Sequence, residues 1–193
     1  TTEIEFIEIN LFNVVIIAKS MTVILDGETL TIERLVDVAR DNKSVKITEK
    51  SWKRIEECRK MLQNKIDEHE IMYGITTGIG EFSEVTLTPE QTQEFQKLLV
   101  RNHAAGIGKP MDIEIVRGSI CGRINVHVKG YSGGRREITE YLRDVLNHQI
   151  TPVVCEKGSV GACGDLAPMS QIALALMGEG EMFVNGEIID SET

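Results

Sequence analysis

The segment KGSVGACGDLAPM, residues 157–169, sets a thiol between an alanine and a glycine immediately ahead of an apolar run. Gly158, Gly161 and Gly164 let the backbone turn tightly and approach itself closely. Asp165 suits a helix N-cap, and Pro168 suits the first turn, where a missing N–H costs nothing. Cys163 therefore stands just before a helix N-terminus, whose partial positive charge favours anions. Three readings compete locally. A phosphate cradle uses the same glycines and the same helix end, but neither GK[ST] nor GxGxxG is present. A thiol nucleophile needs a base beside it, and the spacing places none. A structural loop around an inert, buried cysteine needs nothing further.

Two other side chains could carry chemistry. Tyr73 lies in YGITTGIGEF (73–82) and His103 in LLVRNHAAGIGKP (98–110). Taken alone, the first reads as a packing or loop tyrosine and the second as a cap at a helix C-terminus. The four cysteines, Cys58, Cys121, Cys155 and Cys163, are widely spread with no CxxC pair. Zinc bound by Cys121, His127, Cys155 and Cys163 lacks the paired spacing of such sites, so no metal is expected.

Taken together, these segments have a common pattern. EKGSVGACGDLAP closely resembles the signature of the aromatic amino acid ammonia-lyases, the histidine-acting members above all. The resemblance implies that Ala162, Cys163 and Gly164 cyclise into 4-methylidene-imidazol-5-one (MIO), the family's electrophile. The Gly164 nitrogen attacks the Ala162 carbonyl, water leaves, and elimination from residue 163 gives an exocyclic methylene. The family has serine at the centre, so Cys163 must lose hydrogen sulfide where serine loses water. Asp165 matches the acidic residue that follows the triad and is expected to assist proton removal. Tyr73 matches the tyrosine that moves the proton at the substrate β-carbon. A phenol, ordinarily ionising near pH ~10, needs a polar or charged setting for that task. Gly74, Gly78 and Gly80 suggest a mobile active-site loop around it, in which Thr76 and Ile79 replace the family's Asn and Phe. His103 matches the histidine that accompanies imidazole or phenol substrates, and VHVKGYSGGRREI (126–138) resembles a scaffold segment.

The implied reaction is loss of ammonia from an aromatic L-amino acid, with histidine going to urocanate as the first expectation. Tyrosine or phenylalanine lyases and aminomutases are the alternatives within the family. A non-catalytic assembly module with an uncyclised Cys163 is the alternative outside it. The resemblance covers residues 22–190 and ends after about the first third of a family member. It implies an N-terminal domain with the active-site loop over 21–125 and the start of a central helical domain over 126–193. The chain alone is accordingly expected to be inactive, completed by self-association or by a complementing C-terminal polypeptide.

The elements that must position these residues follow from periodicity. TVILDGETLTI reads as extended and is broken by Asp26-Gly27. Ile32, Leu35, Val36 and Ala39 recur at helical spacing, as do Trp52, Ile55, Leu62 and Ile66 over about 48–69. Thr88-Pro89-Glu90-Gln91 is a capping box with proline at N1, starting a helix with Phe95, Leu98 and Leu99 on its apolar face. Pro110 opens a helix carrying Ile113, Val116, Ile120 and Ile124. EITEYLRDVLNH (137–148) buries Ile138, Tyr141, Leu142 and Val145. TPVV (151–154) is extended, a helix over 166–178 is apolar nearly all round, and Asn185-Gly186 turns a hairpin. The fold class is mainly α with small β elements near each end. By resemblance it is the first part of the fumarase/aspartase-like helical lyase fold. A helix apolar on every side needs neighbours on every side, which points to association or to further chain.

The totals agree. The 193 residues are 41% hydrophobic, enough for a buried core, and carry a net charge of −9, which argues against a nucleic-acid partner. LFNVVIIAK (11–19) is too short for a membrane span, and the acidic residues ahead of it do not suit a signal peptide. Residues 1–20 are read as a start-site extension, or else as an added strand. Unpaired cysteines in a chain of this size suggest reduced thiols and a cytoplasmic location.

Overall fold

A computed structural model of the chain describes residues 22–192. The expectation for residues 1–20 lies outside them. In order, the elements are β1 (Val23–Leu25), α1 (Ile32–Ala39), β2 (Val45–Ile47), α2 (Glu49–Asp67), α3 (Pro89–His103), β3 (Ile107–Pro110), α4 (Ile113–His127), α5 (Arg136–Asn147), β4 (Thr151–Pro152), β5 (Cys155–Lys157), α6 (Leu166–Leu176), β6 (Glu181–Val184) and β7 (Glu187–Asp190), with a 3-10 turn at Gly80–Phe82. The fold is mainly helical, as expected, but strands also occur mid-chain.

The core forms around α4, on which Ile120, Cys121 and Ile124 are fully buried. Val38 of α1, Leu142 and Leu146 of α5, and Val23, Leu25 and Val45 of the first strands close over it. β1 and β2 pair in parallel, Val23 opposite Val45, with α1 as the crossover. The side chain of Asn147 extends this ladder: its Oδ1 accepts from the Val45 N–H at 2.7 Å and its Nδ2 donates to the Val45 carbonyl at 3.1 Å. The loop before α5 lies hard against α2. A Cβ at Gly130 (φ 76°) would stand 2.7 Å from Arg54 Cβ and 2.8 Å from its carbonyl oxygen, so only glycine fits there.

Local signals read from the sequence are realised where hydrogen bonding decides them. At the start of α3 the Thr88 hydroxyl accepts from the Gln91 N–H and the Gln91 side chain accepts from the Thr88 N–H. Asn185 and Gly186 both take positive φ, 51° and 86°, in the β6–β7 turn. The apolar stripes need correction. Ile32 is 79% exposed and Tyr141 58%, and Ile113, Ile138 and Leu98 are exposed as well. Helical spacing admits several rotations of the stripe, and packing against α4 selects Val38 and Ala39 on α1, and Leu142 and Leu146 on α5. Pro110 does not open α4: it closes β3, and Asp112 is the N-cap. Proline, with no N–H to donate, is also tolerated at the edge of a strand pair.

Candidate active site

Three reaches of chain carry the candidate residues, and β3, β5 and α6 bring two of them together. β5 pairs antiparallel with β3, Ile107 opposite Lys157 and Pro110 opposite Cys155. The turn after His103 thus lies beside the strand that leads into the 158–165 loop. A Cβ at Gly158 would stand 3.0 Å from Gly106 Cα. Gln171 of α6 locks this junction. Its Oε1 accepts from the Cys155 N–H at 3.0 Å, and its Nε2 reaches Cys155 Sγ at 3.3 Å. On the far side of α6, Arg101 of α3 holds Glu179 through two hydrogen bonds of 2.7 Å.

The 158–165 loop is built on left-handed backbone. Cys163, Gly164 and Asp165 follow one another at φ 54°, 69° and 59°. For the two non-glycine residues this conformation costs about 1 kcal/mol or more each. The turn is closed by the Asp165 N–H, which donates to the Ala162 carbonyl at 3.1 Å. Ala162, Cys163 and Gly164 are all exposed, so the inert, buried cysteine of the structural reading is not what forms. Asp165 occupies the N-cap position of α6 without capping it. Its left-handed backbone turns the side chain away from the helix N–H groups, and its Oδ1 accepts from the Ser159 hydroxyl instead.

Tyr73 is 67% exposed, and its hydroxyl accepts from the Gly80 N–H at 3.2 Å. Gly80 takes φ 58°, and nothing lies within 4 Å of where a Cβ would stand, so backbone conformation and not space calls for glycine there. The threonines brace this loop. Thr76 Oγ1 accepts from the Met72 N–H and donates to the Glu70 carbonyl, both at 2.8 Å, and Thr77 Oγ1 accepts from the Gly74 N–H at 3.2 Å. Gln96 of α3 donates to the Gly74 carbonyl at 3.2 Å and ties the loop to the His103 helix.

His103 closes α3. Its Nδ1 lies 2.7 Å from the Leu99 carbonyl. A carbonyl can only accept, so Nδ1 carries the hydrogen and Nε2 is left with a free lone pair. Among the described residues no hydrogen bond joins Tyr73, His103 and Cys163 to one another. The zinc alternative does not assemble either, since Cys121 is wholly buried in the core while Cys163 faces solvent. Sequence reasoning passed over Ser159 and Gln171, two polar side chains that brace the loop. The signal for Ser159 was its hydroxyl six residues ahead of an acid; Gln171, inside an apolar helix, gave only its polarity.

The profile of the family described as aromatic amino acid lyase matches residues 30–193. A histidine ammonia-lyase of Caldanaerobacter subterraneus is 42% identical over 170 residues, 88% of this chain and 34% of that protein. A solved histidine ammonia-lyase from Trypanosoma cruzi superposes with a TM-score of 0.81 at 32% identity, over 89% of this chain and 33% of that one. A tyrosine aminomutase from Streptomyces globisporus superposes at 0.82 with 34% identity, over 89% and 32%. The chain therefore spans about a third of the length of the relatives it matches. Its matched profile, its identity to these relatives and its helical framework make it a member of the aromatic amino acid lyase family.

Proposed function

We propose that the chain is the N-terminal portion of an ammonia-lyase that carries its electrophile at Ala162-Cys163-Gly164 and takes histidine to urocanate. The observation that carries this reading is the exposed turn after Ala162, left-handed over residues 163–165, with glycine at the residue whose nitrogen must close on a carbonyl two residues back. The triad fits the MIO group. Gly164 adds no Cβ to obstruct closure, Cys163 supplies the leaving sulfur, and the loop projects from the framework. Once formed, the ring supplies an electron-poor methylene that makes the substrate amine a leaving group, by attack at the amine or at the aromatic ring.

Two of the chain's own residues contribute to the reaction. Tyr73 moves the β-proton through its phenol oxygen, held in place by the Gly80 N–H. His103 recognises the substrate side chain: with Nδ1 committed to Leu99, Nε2 accepts a hydrogen bond from an imidazole N–H. A phenylalanine ring has no donor to offer it. A tyrosine hydroxyl does, and the likeness to a tyrosine aminomutase supports that second reading. Identity to the Caldanaerobacter histidine ammonia-lyase ranks histidine first.

Intact-mass spectrometry tests the central claim. The chain is expected to weigh less than its sequence by one water and one hydrogen sulfide, and a Cys163→Ser variant less by two waters. An unmodified mass in both overturns the catalytic reading and leaves only membership of the family.

A further inference from the structure

The 158–165 loop has a latch. The Ser159 hydroxyl donates to Asp165 Oδ1 and accepts from the Gly161 N–H at 3.2 Å. One side chain thus bridges the two ends of the stretch that contains the triad. The Asp165 N–H donates to the Ala162 carbonyl inside the same loop. Ser159, Ala162 and Asp165 are all exposed, and the described residues provide no other side-chain hydrogen bond to the Asp165 carboxylate. Among the described residues, both side-chain hydrogen bonds of the exposed Ser159 stay within this loop.

We infer that Ser159 is a positioning residue for ring closure, acting by fixing the Asp165 carboxylate within the loop that carries the triad. This rests on the reading that the triad cyclises. In the balanced step, a bond forms between the Gly164 nitrogen and the Ala162 carbonyl carbon. The Gly164 N–H proton passes to the carbonyl oxygen, which becomes a hydroxyl. That hydroxyl leaves as water with the Cys163 N–H hydrogen, giving a C=N bond. The Cys163 Cα–H and Cβ–S bonds then break, hydrogen sulfide leaves, and the exocyclic C=C remains. Nothing is oxidised or reduced. Three protons leave N–H or C–H bonds along this path, and a carboxylate fixed beside the turn is the loop's proton relay. A carboxylate aimed by a hydroxyl is in place when each proton departs. One left to rotate freely is not.

The hydroxyl also shapes the turn. By accepting the Gly161 N–H it fixes the Val160–Gly161 peptide, at the entry to the triad. Removing one charge-assisted hydrogen bond of this kind is expected to slow closure about tenfold or more.

The experiment follows the intact mass of the newly synthesised chain with time, for the wild type, Ser159→Ala and Ser159→Thr. Far-UV circular dichroism and thermal unfolding are recorded in parallel. The wild type is expected to lose one water and one hydrogen sulfide. Ser159→Ala is expected to remain at the unmodified mass about tenfold longer while unfolding at the wild-type temperature, and Ser159→Thr, which keeps the hydroxyl, to recover the wild-type rate. Closure in Ser159→Ala at the wild-type rate overturns the positioning role and leaves the triad reading standing. Failure of Ser159→Thr to recover the rate overturns it too, because the hydroxyl is then not the cause. An unmodified wild type overturns the triad reading itself, and the inference with it.

Discussion

His127, near the end of α4, is held neutral by its surroundings. Burial pushes its imidazole down from 6.5 to about 4, and the Arg123 charge adds to the push. Nδ1 meets the Thr139 hydroxyl at 3.1 Å. The unfolded chain takes a proton here as pH falls through 6.5, whereas the folded chain does so only near 4. Within that window the unfolded state binds more protons, so stability falls as the solution is acidified. The shift corresponds to a loss of about 3 kcal/mol. His127→Gln keeps a partner for Thr139 and cannot titrate, so the difference in urea midpoint between variant and wild type should change across this window. A constant difference would assign the acid sensitivity to the carboxylates instead. Single residues of this kind are only partly legible in the sequence. Tyr73, His103 and the triad were legible only through the resemblance of the strings that hold them to the family's motifs, since taken alone each had an ordinary structural reading. Asp165 was legible as an acid at a helix start but not as Ser159's partner, since its left-handed backbone depends on the whole loop.

Between elements, the least expected feature is Arg117. It is 1% exposed, has no carboxylate partner among the described residues, and donates to Val38 O at 3.0 Å and Leu146 O at 3.3 Å. Those carbonyls lie at the C-terminal ends of α1 and α5, where backbone acceptors lack helical donors and the macrodipole is negative. One guanidinium from α4 thereby ties together three of the helices that contribute to the core, α1, α4 and α5. Desolvation lowers its pKa, the cost of burying the charge. Arg117→Met should lower stability by about 1–3 kcal/mol in urea unfolding, because the Val38 carbonyl loses its donor and Leu146 O keeps only backbone N–H groups. Arg117→Lys should not restore it, as one ammonium cannot span both carbonyls in the same fork. Restoration by lysine would mean that charge alone matters. Composition and periodicity assign arginine to the surface, so this link could not be read ahead. Signals contained within one turn of chain, such as the Thr88 capping box, were legible because hydrogen bonds between near neighbours decide them. The inner faces of α1 and α5 were not, because the neighbour they pack on is distant in sequence.

Over the whole molecule, part of the exposed apolar surface lies near the candidate site. α3 buries none of its residues, and its Leu98, together with Ile71, Tyr73 and Phe82 of the preceding loop, faces solvent. α6, apolar on every side, buries only Ile172 and Ala175. Contiguous apolar surface of this kind is normally covered by protein, and the chain spans only 34% of the Caldanaerobacter relative. Catalysis gains most from groups held in a site that excludes water, whereas here Tyr73 and the triad are open to it. The chain alone should therefore associate in solution and bind a hydrophobic dye. Phe82→Ser with Leu98→Glu should weaken both effects, since it places polar groups in the patch without touching the core. Sedimentation velocity reads the first and dye fluorescence the second, and a monodisperse monomer that excludes the dye would show that the patch is self-sufficient. Incubated with histidine, the chain alone should give no rise in urocanate absorbance even when its mass shows a closed ring. The groups proposed for ring closure lie within residues 159–165, whereas turnover requires a substrate held on every side. Sustained turnover by the chain alone would mean that these exposed residues suffice as they stand.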